Sequence, residues 1–309
     1  MITFGPVPSR RLGRSLGINN IPPKTCSYSC IYCQVGFTRK CTTRRKNFHE
    51  TGLILQEVEE RLQKEREKGL EVDYCTFVAD GEPTLDTNLG EMIRGLKKLQ
   101  LQTAVITNSS LLWNERVCGD LIEADWVSCK IDSTNEKTWR TINKPHRLLS
   151  LPQILDALLH FRTTFMGTFV TETMLVSGIN DSYKSVSGVA AYLDKLQPDA
   201  AYISVPTRPP AQQKVKPPAD ELLIQAYQLF SQQNGKVECL TAYEGNDFAS
   251  TGDITEDILS ITSVHPMRQT AIQELLDSQK ESWLKVKSLV DSGLLKQIDY
   301  RGNTYYLRR

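Results

Sequence analysis

Three cysteines within one short stretch limit what this chain can fold into more than any other feature. Cys26, Cys30 and Cys33 lie in KTCSYSCIYCQVGF, residues 24–37. Spacings of three and two residues allow one tight loop to direct three thiolates toward an iron–sulfur cluster. Structural zinc sites usually have four protein ligands, whereas three cysteines leave one metal position for a ligand that is not protein. The sequence therefore predicts an iron–sulfur site with an open position for chemistry.

A zinc knuckle is the structural alternative for the same loop. Cys41 follows Cys33 after an Arg/Lys-rich segment and could supply a fourth thiolate. Zinc spacings usually come as two cysteine pairs, which favours the iron–sulfur interpretation here.

The composition indicates a globular protein. A chain of 309 residues with 40% hydrophobic content can bury one large core with a small appendage, or form two domains. No apolar run approaches the roughly 20 residues that span a bilayer, and the N-terminal MITFGPVPSRRLGR lacks the apolar region of a signal peptide. We therefore expect a cytoplasmic protein without a membrane partner.

Positive charge is concentrated in the first 50 residues, although the net charge of the chain is only +1. That segment has nine Lys or Arg residues against one acid, Glu50. The bias favours an anionic substrate or partner, and a solvated basic surface is the alternative. Four arginines are candidates for anion binding near the mouth of the site: Arg10, Arg11, Arg14 and Arg208.

Strand-like and helical patterns alternate through most of the chain. The predicted strands cover 15–22, 74–78, 103–106, 126–131, 167–176 and 201–205. The helices predicted between them cover 54–68, 89–99, 114–123, 151–162 and 182–195. This alternation indicates parallel strands joined by right-handed crossovers. Polar residues end nearly every strand and no glycine-rich phosphate loop is present, which favours a barrel-like α/β fold with its site at the C-terminal rim.

The pattern changes near Asp253, where three helical segments precede a hairpin at 296–307. We predict two domains, 1–246 and 253–309, the second a small winged-helix-like α+β unit. Lys285 and Lys287 would lie on its recognition helix. Residues 253–309 carry eight bases and eight acids, so a docking or lid role is as compatible with the sequence as DNA binding.

Polar motifs follow consecutive strands. Gly81-Glu82-Pro83 ends the second predicted strand, where the glutamate can accept hydrogen bonds from a cation and the glycine permits close backbone approach. Asn108 and Asp132 end the next two strands and can hold ribose hydroxyls or orient the glutamate, with helix capping as the alternative.

Three further polar residues lie within predicted strands. Lys130, Thr171 and Glu172 are expected to face the barrel interior, where an ionised group needs a partner or a ligand. Lys130 and Glu172 could pair with each other.

The CxxxCxxC pattern with Tyr32 before its last cysteine resembles the radical S-adenosylmethionine (SAM) superfamily. The resemblance implies a partial (βα)6 TIM-type barrel, with Cys26, Cys30 and Cys33 holding a [4Fe-4S] cluster whose fourth iron is chelated by SAM. It implies that Gly81-Glu82-Pro83 contacts the amino group of SAM, with Asp80 replacing the first glycine of the family motif, and that Tyr32 backbone atoms also hold SAM. One electron, from a donor such as flavodoxin or ferredoxin, would cleave SAM to methionine and a 5′-deoxyadenosyl radical.

Further segments resemble the wyosine-synthetase-related group of that superfamily: GPVPSRRLGRSLG, CIYCQVG, FVADGEPTL, ITNSSLL, INKPH, ETMLVSGIND and SVPTRPPA. Its best characterised members modify a guanine in tRNA with the help of a second cluster bound upstream, but no cysteine precedes Cys26 here. The missing upstream cysteines argue against the wyosine reaction itself and leave the substrate open, with a tRNA or another anionic molecule compatible with the sequence. The alternative from another class is a non-catalytic, metal-stabilised DNA-binding regulator that uses the winged helix.

Overall fold

The chain begins with a hairpin and the cysteine loop. The computed structural model describes residues 2–233, 235–241, 245–246, 248 and 252–309. Strands β1 (Thr3–Ser9) and β2 (Gly13–Ile18) pair antiparallel. Two very short parallel strands, β3 (Thr25–Cys26) and β4 (Lys40–Cys41), then enclose the loop that carries the other two predicted cluster ligands.

The central body alternates helices and strands. In chain order the elements are α1 (Thr51–Glu67), β5 (Tyr74–Phe77), α2 (Leu89–Lys98), β6 (Thr103–Thr107), α3 (Glu115–Leu121), β7 (Trp126–Lys130), α4 (Glu136–Asn143), α5 (Leu151–Thr164), β8 (Thr168–Met174), α6 (Tyr183–Leu196), β9 (Ala200–Ser204), α7 (Asp220–Ser231) and β10 (Val237–Leu240). The eight-stranded sheet has the order β1-β2-β5-β6-β7-β8-β9-β10, and every neighbouring pair except β1 and β2 is parallel. The curled sheet with its helices confirms the predicted α/β partial barrel.

The six predicted strands correspond to β2 and β5 to β9, whereas β1 and β10 were not predicted. Strand β1 contains Pro6 and Pro8, which weaken a sequence signal for a strand. Proline is tolerated there because β1 lies at the sheet edge and needs hydrogen bonds on one side only. Strand β10 has four residues, too few for a clear alternating pattern. Helices α4 and α7 were also missed.

The β1–β2 turn closes one end of the barrel. Leu12 of this turn is buried among apolar side chains from the sheet, including Trp126, Tyr202 and Leu240. These residues form the floor of the barrel, while the main core lies between the sheet and the surrounding helices. The floor leaves space above it, toward the C-terminal ends of the strands.

The C-terminal residues form a compact helical unit with a small sheet. Its elements are α8 (Ile254–Val264), β11 (Met267–Arg268), α9 (Gln269–Ser278), α10 (Leu284–Asp291), β12 (Leu295–Tyr300) and β13 (Asn303–Arg308). The sheet order is β11-β13-β12. Three helices and a terminal hairpin agree with the predicted secondary structure, and β11 was missed. The assignment as a winged helix and the boundaries 1–246 and 253–309 stay predictions.

This unit packs directly on the barrel. Val7 of β1 contacts its apolar core, and Arg61 of α1 lies 3.7 Å from the Asp257 carboxylate of α8. The hydroxyl of Tyr300 donates to the carbonyl of Pro206 at 3.0 Å, just beyond β9. The C-terminal unit therefore reaches the rim of the barrel. Within the described ranges, no helix combines the length and apolar character that crossing a membrane requires.

One glycine joins the cysteine loop to the sheet. Gly81 pairs with Thr25 through an isolated parallel bridge, and the main-chain N–H of Glu82 donates to the Thr25 carbonyl at 3.2 Å. A Cβ at position 81 would overlap that carbonyl oxygen, and the backbone of Gly81 has φ +155°. Glycine is required here because the two segments approach so closely.

We predict that Gly81→Ala destabilises the fold by about 2 to 3 kcal/mol, because the methyl group must displace a backbone carbonyl rather than a side chain. The matched control is Gly119→Ala in α3, where no atom lies within 4 Å of the added Cβ. Chemical denaturation of both variants measures the difference. Equal unfolding free energies for the two variants would contradict this account of Gly81.

Candidate functional site

A cavity of ≈ 340 Å³ runs through the barrel interior. Leu12 lies at its floor, and the three cysteines of the loop, Cys26, Cys30 and Cys33, line the same space. Glu82 also lines it. The predicted cluster ligands and the predicted cation-binding carboxylate therefore share one chamber.

The cysteine loop is held by main-chain hydrogen bonds to residues 142–146. The N–H of Ser29 donates to the carbonyl of Asn143 at 3.0 Å, and the N–H of His146 donates to the carbonyl of Ser27 at 2.9 Å. This segment is INKPH, which ends helix α4. The role of this segment was not predicted, because main-chain contacts leave no residue-specific signal in the sequence.

Burial raises the pKa of all three cysteine thiols. The pKa of Cys30 rises to about 12, and that of Cys26 lies well above its ordinary value, with Glu82 as a second cause. The pKa of Cys33 is raised as well. Without metal the sulfurs therefore retain their protons at neutral pH. Assembly of a thiolate-bound centre must release those protons and is favoured by rising pH.

The donor set fits an iron–sulfur cluster. Thiolate sulfur is the ligand that such clusters use, and each cysteine binds a different iron, so the sulfurs need not converge on one ion. In the part of the chain that the structure describes, no three His, Cys, Asp or Glu side chains are grouped to hold a metal ion. Cys41 is exposed, does not line the cavity and donates its thiol to the Ser27 carbonyl at 3.6 Å. Its position does not favour the zinc knuckle.

Glu82 is buried and held from several sides. Its Oε1 accepts the Thr84 N–H at 3.1 Å and the hydroxyls of Thr84 and Thr107, each at 2.6 Å. Its Oε2 accepts the main-chain N–H of Asn108 at 2.7 Å. Burial raises the pKa of Glu82, and these hydrogen bonds oppose the rise. The carboxylate is thus fixed in place, and Oε2 retains acceptor capacity for a cation.

Asp80 replaces the first glycine of the family motif and forms an ion pair. Its Oδ1 lies 3.3 Å from Nζ of Lys24, and both residues line the cavity. Burial raises the pKa of Asp80 to about 6, against the effect of Lys24. The substitution therefore adds a second carboxylate beside Glu82 together with its own counter-ion.

Asp132 lies behind Tyr32 rather than in the cavity wall. The Tyr32 hydroxyl donates to the Asp132 carboxylate, which also accepts Asn143 Nδ2 at 2.6 Å and the Met174 N–H at 2.8 Å. Tyr32, Gly81 and Asn108 line the cavity, whereas Asp132 and Pro83 do not. The predicted contacts of all these residues with SAM stay predictions, and the geometry gives Asp132 a positioning role.

Glu172 lies between two cations inside the barrel. Lys130 Nζ is 2.8 Å from its Oε1, and an Arg11 guanidinium nitrogen is 2.6 Å from its Oε2. Burial raises the pKa of Glu172, but Lys130 and Arg11 outweigh burial and lower it. Lys130 and Glu172 line the cavity as predicted, whereas Thr171 does not, since neighbouring residues of a strand face opposite sides.

Of the four arginines predicted to bind anions at the mouth, three line the cavity: Arg10, Arg11 and Arg208. Arg14 lies outside it, and its NH2 is 3.7 Å from the Glu65 carboxylate. Its predicted position at the mouth was therefore wrong. Arg11 lines the cavity at its floor, 5.9 Å from the centre of the Trp126 ring, so its predicted position at the mouth was wrong as well.

The C-terminal unit supplies part of the cavity wall. Arg208 donates to Gln34 Oε1 at 2.9 Å, and its other terminal nitrogen lies 3.0 Å from His265 Nε2. Gln34 follows Cys33 directly and donates to the Val264 carbonyl at 3.2 Å. Burial, and then the Arg208 charge, lower the pKa of His265 well below its usual range, so the imidazole is neutral. No sequence pattern indicates a role for Gln34 or His265, since their contacts join distant segments.

Comparison with known proteins identifies the family of this chain. The radical SAM superfamily profile matches residues 20–186. A UPF0026 protein of Methanocaldococcus jannaschii is 44% identical over 309 residues, which cover 99% of this chain and 96% of that protein. An S-adenosylmethionine-dependent nucleotide dehydratase of Flammeovirga pacifica is 26% identical over 53% of this chain and 59% of its own length.

Solved structures agree with the fold. A radical SAM methyltransferase from Sphaerobacter thermophilus superimposes with a TM-score of 0.55 and 15% identity, covering 74% of this chain and 67% of its own. At that identity the likeness concerns the fold alone. Together with the family match and the M. jannaschii relative, it places the chain in the radical SAM superfamily, as an iron–sulfur, SAM-dependent enzyme of the UPF0026 family.

Proposed function

We propose that this enzyme binds a [4Fe-4S] cluster through Cys26, Cys30 and Cys33 and holds SAM with Glu82. The observation that carries the proposal is that these four side chains line one cavity. When bound, the cluster and SAM supply reductive cleavage of SAM to methionine and a 5′-deoxyadenosyl radical. The non-catalytic DNA-binding alternative is not retained, because the chain belongs to an enzyme family.

The residues of the chain bind and orient SAM and shield the radical from water. Glu82 would accept hydrogen bonds from the amino group of SAM, and its fixed position would keep that group in one place. Tyr32 and Gly81 contribute main-chain atoms beside it, and Asp132 holds Tyr32 by its hydroxyl. Leu12 and its apolar neighbours close the floor of the barrel, which excludes water from a reactive radical.

The charge of the cavity supports an anionic substrate. Among the described residues, its lining includes five cationic side chains, Arg10, Arg11, Lys24, Lys130 and Arg208, and three carboxylates, Asp80, Glu82 and Glu172. This excess of positive charge favours negatively charged molecules. The name of the F. pacifica relative gives a nucleotide, which is anionic, as the substrate class of that protein. Nucleotides and tRNA both meet this requirement.

Exposed basic side chains lie on segments that are hydrogen-bonded to the cysteine loop, and this basic face supports docking of an acidic one-electron donor such as flavodoxin or ferredoxin. It consists of seven exposed side chains, Arg39, Lys40, Arg44, Lys144, Arg147, Lys214 and Lys216. The segments that carry them contain no acid and are bonded to the loop, as in the 2.9 Å contact from the Thr42 N–H to the Cys26 carbonyl. Phe37 and Leu148 add apolar surface, with 58% and 72% of their areas exposed.

The first prediction of the proposed function concerns the metal. Anaerobic reconstitution should give about four irons per chain, and dithionite with SAM should then yield 5′-deoxyadenosine. Cys30→Ala should lose the cluster, whereas Cys41→Ala should retain it because its thiol lies outside the cavity. One zinc per chain that depends on Cys41 would contradict the proposal.

The second prediction concerns Glu82. Glu82→Gln should keep the cluster spectrum but weaken SAM binding by about 10- to 100-fold, since a charge-assisted hydrogen bond is lost. Glu91→Gln on the exposed face of α2 is the control. Because burial raises the pKa of Glu82, wild-type SAM affinity should begin to fall on acidification above the ordinary range of a glutamate. Unchanged affinity in Glu82→Gln would show that the carboxylate does not bind SAM.

The third prediction concerns the basic face. Lys144→Glu combined with Arg147→Glu should slow 5′-deoxyadenosine formation driven by flavodoxin by about tenfold at low salt, and leave the dithionite-driven reaction unchanged. The matched control is Lys64→Glu with Arg66→Glu, exposed on α1. An equal effect of both double variants would refute a local docking surface. Loss of tRNA binding with normal reduction by flavodoxin would assign the face to substrate instead.

A further inference from the structure

Two asparagine side chains donate hydrogen bonds to the sulfurs of the cysteine loop. Nδ2 of Asn108 lies 3.5 Å from Cys26 Sγ, and Nδ2 of Asn143 lies 3.4 Å from Cys30 Sγ. Both asparagines are at least partly buried, and they reach the loop from separate elements. Asn108 follows β6, whereas Asn143 ends α4.

The amide of Asn108 is oriented by its other partners. Its Oδ1 accepts the main-chain N–H of Ser110 at 3.0 Å, which fixes the oxygen end. Its Nδ2 donates to the Ser27 hydroxyl at 2.8 Å, and this hydroxyl is 2.6 Å from that of Ser110. A main-chain N–H can only donate, so the NH₂ end of Asn108 must face Cys26.

The amide of Asn143 is oriented by Asp132. The carboxylate accepts Asn143 Nδ2 at 2.6 Å, and an ionised carboxylate can only accept, so the NH₂ end faces Asp132 and Cys30. Asp132 is itself fixed by the Met174 N–H. Through these contacts the buried Asp132 orients a neutral donor, the Asn143 amide, toward a cysteine of the cluster loop.

We propose that Asn108 and Asn143 are positioning residues that raise the reduction potential of the cluster. The inference rests on the proposed function. One-electron reduction adds negative charge to the cluster and its thiolates, and an N–H donor to sulfur stabilises the more negative state more strongly. Neutral amides supply this effect without placing a further ion in the buried site.

The test is an anaerobic redox titration of the reconstituted enzyme without SAM, followed by electron paramagnetic resonance. Asn143→Leu and Asn108→Leu remove the donor at similar volume. Each variant should keep the iron content of the wild type and lower the reduction potential of the cluster. At a fixed applied potential the ratio of reduced to oxidised cluster should fall about tenfold, which corresponds to a shift of about 59 mV for one electron. Each glutamine variant, which retains an amide, should recover part of the shift.

The control is Asn180→Leu. Asn180 is buried and donates to the carbonyls of Asp132 and Met174, both at 2.8 Å, and among the described residues its side chain forms no hydrogen bond to a sulfur. It should lower the melting temperature without moving the potential. An equal shift in Asn180→Leu, or a wild-type potential in both leucine variants that hold iron, would overturn the inference.

A second measurement tests the inference even if the leucine variants fail to assemble a cluster. In the wild-type enzyme labelled with ¹⁵N only at asparagine, the reduced cluster should show nitrogen hyperfine coupling, and its absence would also overturn the inference. A wild-type protein that binds no iron would instead refute the proposed function, so the two failures are distinguishable.

Discussion

The close contact between the cysteine loop and the end of β5 is the constraint on which the site depends. Gly81 and Thr25 approach so closely that a side chain at position 81 has no room. The following residue, Glu82, thereby enters the same cavity as the three cysteines. One backbone contact thus couples the metal ligands to the carboxylate proposed to bind SAM, although the segments lie more than 50 residues apart in sequence.

Around this contact the protein balances burial against hydrogen bonding. Burial raises the pKa of the thiols and of Glu82, which disfavours their charged forms. Main-chain and side-chain donors oppose that effect at Glu82, and the Asn143 amide and the Tyr32 hydroxyl do so at Cys30. The charges deeper in the barrel are paired, as in Lys130 with Glu172, so that mutual attraction offsets the desolvation of the buried ions.

Much of the fold was predictable because the strands and helices of the barrel have strong apolar periodicity and polar ends. The cysteines and the Gly81-Glu82-Pro83 turn were predictable for a different reason, since their residue types and spacing are dictated by the chemistry. Strand β1 was not predicted because its two prolines weaken the strand pattern, and β10 was not predicted because it has only four residues.

The missed parts of the site depend on contacts between distant segments. Asn143 reaches Cys30 only because the end of α4 runs beside the cysteine loop. His265 lines the cavity only because the C-terminal unit packs against β1 and the residues after β9. No local pattern encodes either placement. The contacts of Asp132 with Tyr32 and Asn143 were missed for the same reason, and its contact with SAM stays a prediction.

The most direct test of the central claim is electron–nuclear double resonance of the reduced cluster with SAM labelled with ¹⁵N at its amino group. If three cysteines leave one iron for SAM, the spectrum will show strong ¹⁵N coupling from that nitrogen. This ¹⁵N signal will be absent with unlabelled SAM. A reduced cluster that binds SAM nearby but shows no such coupling would contradict the account, because the fourth iron would then have a protein ligand.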